Sequence, residues 1–559
     1  MTKKNAEQIL LEKAIITKEQ FNKALEESRK KGMPIGKVIV RSGMAAEEAY
    51  AQAVSEALDI PYVNLSNYII DAETVKLIPE TMAQKYKAIP IFKIGSSLTV
   101  AMADPKDIMA IDELSRRAKC GIEPALATES SILNAIDQYY KTASSFDDVV
   151  KDIDKESRLQ ESRVELDSKK LAEIAEEAPV IKLVNMIILQ AVKDRASDIH
   201  IEPEEAKLVV RFRIDGILHE MFSPPKHLEP ALMSRIKVLS KMDIAEKRKP
   251  QDGRFDMKAL DRDIDLRVSS FPTIYGENIV IRILDRGGIV LGLDKIGFSA
   301  DTQKEFEKLV KYPHGIILVT GPTGSGKTTT LYSALSIIES EEKNVITIED
   351  PVEYHLGRIR QSQINPKAGL TFATGLRSIL RQDPDVIMVG EIRDKETAEI
   401  SVQASLTGHL VLSTLHTNDA SGALSRLIDM EIEPFLISSS IIGILAQRLV
   451  RKICDKCREE YTPSEDILKV LGINQKKGFF KGKGCGACKN TGYRERIGIF
   501  ELLIVNDQIR KLIVDKASSG ILKKIAVETG MKTLRDDGLD KILKGITTPE
   551  EVIKATQEE

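Results

Sequence analysis

A nine-residue stretch in the middle of the chain, Gly321–Thr329, most constrains how this protein can fold. It reads GPTGSGKTT and matches the pattern G-x-x-x-x-G-K-[ST] at every fixed position. The apolar run Gly315–Thr320 before it predicts a buried strand, and Leu331–Ile338 after it has helical periodicity. Glycines in such a loop let backbone N–H groups turn toward phosphate oxygens, and the helix adds its positive end. The stretch predicts a Walker A loop, with an ordinary glycine-rich turn as the alternative.

Every residue of this loop is a candidate nucleotide contact. We expect Lys327 to reach the β- and γ-phosphates of ATP, and the Thr328 hydroxyl to bind Mg²⁺. The expected ATP-binding residues are Gly321, Pro322, Thr323, Gly324, Ser325, Gly326, Lys327, Thr328 and Thr329.

Length and charge exclude several classes of protein. A chain of 559 residues is too long for one hydrophobic core, so three or four domains are expected. Its 81 basic and 84 acidic residues give a net charge of −3, which provides no general attraction to nucleic acid. No apolar run approaches the ~20 residues of a membrane span, and the charged start of the chain is unlike a signal peptide. The sequence therefore predicts a cytoplasmic protein.

Four segments are expected along the chain. Residues 1–140 combine a helical start with a small mixed α/β unit, and the polar residues 141–168 have the composition of a linker. Residues 169–290 contain strand-like segments, including a hairpin with Asp215-Gly216 at its turn. In residues 291–559, apolar strand candidates alternate with helical segments, which predicts a parallel α/β sheet, then a cysteine-rich insert and a mostly helical end.

A degenerate repeat lies at the start of the chain. Ala14–Glu19 is echoed 29 residues later by Gly43–Glu48, and helical periodicity follows each copy. Two related helical units are therefore expected within residues 1–65.

Two apolar strand candidates end in acidic residues. Val345–Ile348 is followed by Glu349, and Val386–Val389 is followed two residues on by Glu391. Functional residues of a parallel α/β sheet lie at the carboxyl ends of its strands. We expect Glu391 to hold Mg²⁺ as the Walker B acid, and Glu349 to orient or deprotonate the attacking water. The alternative is that such acids only cap the next helix, as expected for Asp394.

Two of the seven histidines flank the strand candidate Leu410–Leu415. His409 precedes this strand and His416 follows it, so they lie about 20 Å apart at ~3.3 Å per residue. They cannot bind one metal ion together, and at most one contacts the phosphates directly. Both are candidate catalytic residues, although a lone histidine is more often structural.

Four of the five cysteines form two pairs with the spacing of metal ligands. Cys454-x-x-Cys457 and Cys485-x-x-Cys488 are separated by 27 residues, in an insert of about residues 450–495. Four thiolates suit tetrahedral Zn²⁺ and leave no open coordination position, so a structural zinc site is expected. A redox-active CxxC is the alternative, which the presence of two pairs disfavours.

The order of these motifs resembles that of one family. The Walker loop, the box TIEDPVEY, the run MVGEIRD and the box GHLVLSTLHTN follow one another as in secretion ATPases of the PilB/GspE type, from type IV pili and type II secretion. The resemblance, from about residue 170 to the end, implies a RecA-like P-loop ATPase domain preceded by a PAS-like α/β domain. It also implies that two arginines of the preceding domain, here Arg267 and Arg282, reach the γ-phosphate. Extension and export members of the family carry a tetracysteine insert.

The repeat at the N-terminus is similar to the tandem repeat of MshEN-type domains, some of which bind cyclic di-GMP. Copies in that family open with Arg-Leu-Gly. Here the second copy has Pro34-Ile35-Gly36 and the first has Asn5-Ala6-Glu7, so both arginines are missing, and Ala14 replaces a glycine. A degenerate structural module is expected, and cyclic di-GMP binding is not.

The motifs and the resemblance together predict a ring-forming motor ATPase that uses ATP, Mg²⁺ and Zn²⁺. The family implies a homo-hexamer beside an inner-membrane platform protein, and the degenerate MshEN-like start favours type IV pilus assembly. The type II secretion ATPase shares every motif and is the nearest alternative. A P-loop DNA translocase is disfavoured because the chain has no Trp and a slightly negative charge. The pair Glu349 and Glu391 disfavours a nucleotide switch that does not hydrolyse ATP.

Overall fold

Two units make up the protein. The computed structural model describes residues 5–140, 178–285, 292–338, 341–472 and 478–557. Contacts group the chain into one unit up to residue 287 and another from residue 288. The segment predicted to be a linker, residues 141–168, lies outside the described residues. None of the described helices has the length and hydropathy that a membrane span requires.

The first unit begins with four helices and continues through two α/β modules. Its helices are α1 (Ala6–Glu12), α2 (Lys18–Lys31), α3 (Ile35–Arg41), α4 (Glu47–Leu58), α5 (Ala72–Val75), α6 (Glu80–Tyr86), α7 (Ile108–Ala118), α8 (Glu129–Tyr140), α9 (Ala178–Lys193) and α10 (Glu229–Leu239). Its strands are β1 (Tyr68–Ile69), β2 (Ala88–Ile94), β3 (Ser97–Met102), β4 (Gly121–Leu126), β5 (Asp198–Pro203), β6 (Leu208–Ile214), β7 (Ile217–Phe222), β8 (Gln251–Ala259), β9 (Arg262–Thr273) and β10 (Gly276–Asp285).

The N-terminal repeat is visible in the backbone. Helices α1 and α3 are each followed by a residue in the left-handed conformation, Ala14 with φ 55° and Gly43 with φ 65°. The next helix follows in both copies, and Thr17 caps α2 by accepting a hydrogen bond from Gln20 N. Gly36 packs so closely that a Cβ there would lie 2.0 Å from Tyr50 Oη. The two copies are therefore related helix–turn–helix units.

The first α/β module has a three-stranded sheet in the order β2-β3-β4. Its core contains Leu98, Val100 and Ile132. The small mixed α/β unit expected within residues 1–140 is present in this module.

The second α/β module is built on a seven-stranded sheet in the order β1-β8-β9-β10-β5-β6-β7. All neighbours are antiparallel except β1 and β8. Asp215 and Gly216 join β6 to β7 with φ values of 49° and 89°, as a two-residue hairpin turn requires. One face of the sheet packs on α9 and α10 through residues such as Ile187, Leu232 and Leu266. Successive side chains of a strand point to opposite faces of the sheet, so the residues between these core positions lie on the other face. This holds for the strand pair β9–β10 as well.

The second unit is a larger α/β domain. Its helices are α11 (Leu293–Ile296), α12 (Ala300–Leu309), α13 (Lys327–Ile338), α14 (Phe372–Ile379), α15 (Lys395–Leu406), α16 (Ala420–Asp429), α17 (Pro434–Ser440), α18 (Glu465–Leu471), α19 (Asp507–Val514), α20 (Ser519–Glu528), α21 (Leu534–Leu543) and α22 (Pro549–Thr556). Its strands are β11 (Gly315–Thr320), β12 (Val345–Glu349), β13 (Arg360–Gln363), β14 (Val386–Val389), β15 (Leu410–Leu415), β16 (Ile441–Ile453), β17 (Arg458–Tyr461), β18 (Phe479–Gly482) and β19 (Tyr493–Ile504).

The central sheet has the order β13-β12-β14-β15-β11-β16-β19. Alternate residues of β11 enter two cores: Ile316 and Leu318 face one, and Ile317 and Val319 face the other. Because helices cover both faces, the strands are continuous apolar runs, as is usual for parallel sheets. The carboxyl ends of β11, β12, β14 and β15 lie together along one edge.

The sequence-based prediction of this sheet was incomplete at one side. Strand β16 is parallel to β11, but β19 pairs antiparallel to β16, so the sheet is mixed. The chain from Ile441 onward therefore includes two long strands, β16 and β19, and is not simply an insert followed by helices. The apolar run Pro434–Val450 contains both helix α17 and most of β16 with no Gly or Pro between them. Periodicity alone cannot distinguish a buried helix from a buried strand in such a run.

Candidate nucleotide-binding site

The loop between β11 and α13 has the conformation that its glycines allow. Gly321 has φ 148° and Gly326 has φ 87°, in the region that favours glycine. A Cβ at Gly321 would lie 2.4 Å from the carbonyl oxygen of Gln447, so a side chain does not fit there. The helix begins at Lys327, earlier than the sequence periodicity indicated, so its N-terminal N–H groups lie at the end of the loop. A phosphate group fits such a cradle.

Gln447 supports the loop and was not predicted. Its Nε2 donates to Ser325 O at 2.6 Å, and its Oε1 accepts from Thr330 Oγ1 at 2.7 Å. The side chain is fully buried beside the loop. Gln447 therefore joins the loop to the first turn of α13, and it escaped prediction because β16 was not recognised as a neighbouring strand.

Lys327 lies over the loop that it follows. Its Nζ donates to the carbonyl oxygens of Gly321 at 2.8 Å and Pro322 at 3.1 Å. Burial lowers the pKa of Lys327, the nearby charge of Arg448 lowers it further, and Glu391 opposes both. The Walker lysine is thus close to one acidic and one basic side chain.

Glu391 and His416 lie near Lys327, at the carboxyl ends of the central strands. Glu391 lies 2.5 Å from Arg393 Nη2 and 3.5 Å from His416 Nε2, and its side chain is 13% exposed. Burial lowers the pKa of His416, and the charge of Lys327 lowers it further. His416 is therefore neutral near pH 7. Thr328, the second residue of α13, is exposed. Its hydroxyl and the Glu391 carboxylate are oxygen donors of the kind that Mg²⁺ prefers, so they fit the expected metal.

Glu349 occupies a buried polar network at the end of β12. Its side chain is 2% exposed. The Tyr332 hydroxyl donates to Oε2, and Thr347 Oγ1 and Gln361 Nε2 reach Oε1 at 2.5 and 3.2 Å. Burial and the hydrogen bond to Glu349 raise the pKa of Tyr332. The carboxylate thus accepts three hydrogen bonds from neutral donors, which fix its position at the end of β12.

His409 is not brought into this group. It precedes β15, at the amino end of the sheet, while the Walker loop follows the carboxyl end of the parallel strand β11. Its Nδ1 lies 2.8 Å from the Ala404 carbonyl and 3.2 Å from Thr407 Oγ1. These contacts indicate that His409 fixes the end of α15. A ring at this end of a six-residue strand is about 20 Å from the Walker loop.

The two arginines predicted to reach the γ-phosphate lie in the first unit. Arg282 Nε is 3.4 Å from Asp198 Oδ1, and Arg267 Nε is 3.8 Å from Asp265 Oδ2. Arg211, on the same sheet, donates from Nη2 to Glu202 Oε1 at 2.6 Å.

The four predicted zinc ligands form one cluster. Their Sγ atoms all lie within 4.8 Å of one another, and the pairs Cys454–Cys485 and Cys457–Cys488 are 3.9 and 3.7 Å apart. Tetrahedral Zn–S bonds of ~2.3 Å place sulfurs about 3.8 Å apart. Backbone N–H groups of Gly484 and Gly492 donate to Cys457 Sγ and Cys488 Sγ, each at 3.3 Å, which favours thiolates. The donor set therefore fits Zn²⁺.

The sequence also matches known families. The model of the family described as "Type II/IV secretion system protein" matches residues 173–554, and that of the MshEN domain matches residues 58–146. The MshEN match falls on the small α/β module, whereas the resemblance was expected from the helical repeat that precedes it.

Full-length and partial relatives agree with this match. The chain is 44% identical over 559 residues to the type IV pilus assembly ATPase PilB of Myxococcus xanthus, with 98% of each chain covered. It is 52% identical over 391 residues to the type II secretion system protein E of Pseudomonas aeruginosa. The matched region covers 70% of this chain and 78% of the relative. Among solved structures, the ATPase DotB of Yersinia pseudotuberculosis shares the fold, with 22% identity and a TM-score of 0.52 over 68% of this chain and 94% of its own.

Proposed function

The chain belongs to the type II/IV secretion system protein family and is an ATPase, and we propose that its hydrolysis of ATP drives type IV pilus assembly. The single observation that supports this most is the match to a pilus assembly ATPase over 98% of both chains. The glycine loop with Lys327, Glu391 and His416 beside it supports the use of ATP by this chain itself.

In the proposed site, the loop of Gly321–Thr329 binds the phosphates and Lys327 binds their terminal oxygens. Thr328 and Glu391 would hold Mg²⁺, which neutralises charge on the phosphates. Neutral His416 contacts the Glu391 carboxylate and fixes its orientation. Glu349 orients the attacking water after Tyr332 or another of its donors shifts.

Arg267 and Arg282 complete the proposed site when the two units close on ATP. Phosphoryl transfer needs cationic charge at the γ-phosphate, and closure supplies this charge only in the reactive state. Each round of ATP binding and release would then move one unit against the other. We propose a ring of six chains that passes this motion to a platform protein at the inner membrane, with each arginine pair serving its own chain or a neighbour.

We also propose that the four cysteines hold a structural Zn²⁺. Cys454 follows β16, and the other three lie in the segment that leads to β19. Four thiolates leave no position for a substrate, so the ion would tie the two long strands together and take no part in hydrolysis.

The experiment that tests the pilus assignment is deletion of the gene in the source organism. We expect surface pili to be lost and to return with the wild-type gene, but not with a gene that encodes Lys327→Ala. Normal piliation of the deletion strain would contradict the proposal.

A type II secretion ATPase is the second candidate, because the 52% identity to a secretion system protein E is the higher of the two values. The same deletion strain distinguishes the two functions. If the deletion strain is fully piliated but keeps inside the cell the enzymes that the wild type secretes, this result would support the secretion function instead.

A further inference from the structure

Arg448 is a buried arginine whose charge is not balanced. It lies on β16 next to Gln447 and is 5% exposed. Its Nη2 donates to Asn418 Oδ1 at 3.2 Å, and its Nη1 is buried without a hydrogen-bond partner. In the part of the chain that the structure describes, no carboxylate lies within ion-pair distance of Arg448.

This arrangement is unfavourable for the protein alone. A guanidinium group does not lose its proton in proteins, so burial cannot neutralise it. Buried charges are normally paired, and an unsatisfied charged N–H bears the full cost of its desolvation. The neutral amide of Asn418 satisfies one nitrogen but supplies no counter-charge.

The position of Arg448 indicates which anion balances it. Strand β16 pairs with β11 up to Ala446 beside Thr320, so Arg448 lies just beyond the start of the Walker loop. Its charge is close enough to lower the pKa of Lys327. Asn418 belongs to the segment after β15 that begins with His416. The cationic side chains of Lys327 and Arg448 thus lie near the edge of the sheet where Glu391 and His416 also lie.

We propose that Arg448 binds the terminal phosphate of ATP in the Walker site of its own chain. A phosphate oxygen accepts strong hydrogen bonds from guanidinium nitrogens and provides the missing negative charge. The terminal phosphate is favoured over the inner ones because Arg448 Nη2 contacts Asn418, two residues after His416, whose Nε2 lies 3.5 Å from Glu391. Arg448 differs from Arg267 and Arg282 in lying in the same unit as the loop, so it needs no closure to take part.

The test compares two nucleotides in the full-length protein. The variants are Arg448→Gln, which removes the charge, and Arg448→Lys, which keeps the charge but loses the fork of donors. The matched control is Arg496→Gln, an exposed arginine on the paired strand β19. Dissociation constants are measured with Mg²⁺ for ADP and for a non-hydrolysable ATP analogue.

Arg448→Gln is expected to weaken binding of the ATP analogue about tenfold or more, while ADP binding changes less than about threefold. Arg448→Lys should have an intermediate effect, and Arg496→Gln should change neither constant. Equal losses for both nucleotides would show that Arg448 only supports the segment after β15 through Asn418, and no loss for either would also overturn the proposal. If circular dichroism shows that Arg448→Gln does not fold, Arg448→Lys decides instead. The criterion is then whether its dissociation constant for the ATP analogue rises more than that for ADP.

Discussion

Arg267 and Arg282 are direct cross-strand partners, because the register of β9 and β10 pairs their Cα atoms. Both side chains lie on the face of the sheet away from α9 and α10, since Leu266, Val268 and Ile281 take the core side. Like charges that face each other across two strands repel. The nearby carboxylates relieve this only in part, because the Arg282 side chain is 63% exposed and screened by water. The Arg282 side chain is therefore accessible to an anionic ligand.

Removing either arginine tests the proposed closure. Arg267→Ala or Arg282→Ala should lower ATP turnover by ~10³-fold, the scale of arginines that act in other P-loop enzymes, with ATP affinity nearly unchanged. Lysine should rescue poorly because it lacks the planar fork. Steady-state ATPase rates and nucleotide affinities of purified protein give both values.

Arg211→Ala is the control for this pair. Arg211 is on the same sheet and bonds Glu202, so its loss should change turnover much less. An inactive Arg211→Ala together with active Arg267→Ala and Arg282→Ala would contradict the assignment. Mixing Arg282→Ala with Lys327→Ala protein then shows whether the arginines serve a neighbour, because only a shared site regains activity.

The cysteine cluster should carry metal. Protein purified without chelator is expected to contain about one Zn²⁺ per chain, and Cys454→Ser with Cys457→Ser should abolish it. Because the binding energy of a structural zinc is also folding energy, the insert should become sensitive to protease while Arg496→Gln remains resistant. Metal analysis that finds no zinc in the wild-type protein would refute the site.

The N-terminal repeat predicts a stabilising substitution. Ala14 has φ 55° where its counterpart is Gly43 with φ 65°. A left-handed conformation costs a non-glycine residue ~1–2 kcal/mol, partly offset by the flexibility of glycine in the unfolded chain. Ala14→Gly should therefore stabilise α1–α4 by about 1 kcal/mol, and Gly43→Ala should destabilise them by a similar amount. Hydrogen exchange of the α1–α4 amides in the full chain measures the change in stability for both variants. Destabilisation by Ala14→Gly and stabilisation by Gly43→Ala would show that the turn is not strained.

His416 should control the acid limb of the ATPase profile. Burial and Lys327 hold the pKa of His416 below its ordinary value of 6.5, so the ring is neutral at pH 7 and gains a proton only in more acid solution. The protonated ring would pair with Glu391 at 3.5 Å and withdraw that carboxylate from Mg²⁺. Turnover should fall as the pH decreases through this range, and less so in His416→Gln. Identical acid limbs in folded wild-type and variant protein would exclude this role.

Short apolar runs with clear boundaries were predicted well, and continuous ones were not. The bounds expected for β11, β14 and β15 agree with the structure because glycine or a polar turn closes each run at both ends. β16 follows α17 without such a boundary, so the strand was missed, and Gln447 and Arg448 were missed with it. The sequence also could not show that Tyr332 would cover Glu349, because that contact joins α13 to β12. Contacts between residues distant in the chain leave no periodic signal.

ATP hydrolysis by Glu391→Gln, measured beside Lys327→Ala, tests whether Glu391 holds Mg²⁺ for hydrolysis in this site. Glutamine keeps the shape of Glu391 but loses the charge that would hold Mg²⁺, so binding should survive while turnover is lost. Lys327→Ala should lose nucleotide binding itself. Glu391→Gln protein is expected to bind ATP with nearly wild-type affinity and to turn it over at no more than about 1% of the wild-type rate. A Glu391→Gln protein that hydrolyses ATP near the wild-type rate would contradict this expectation.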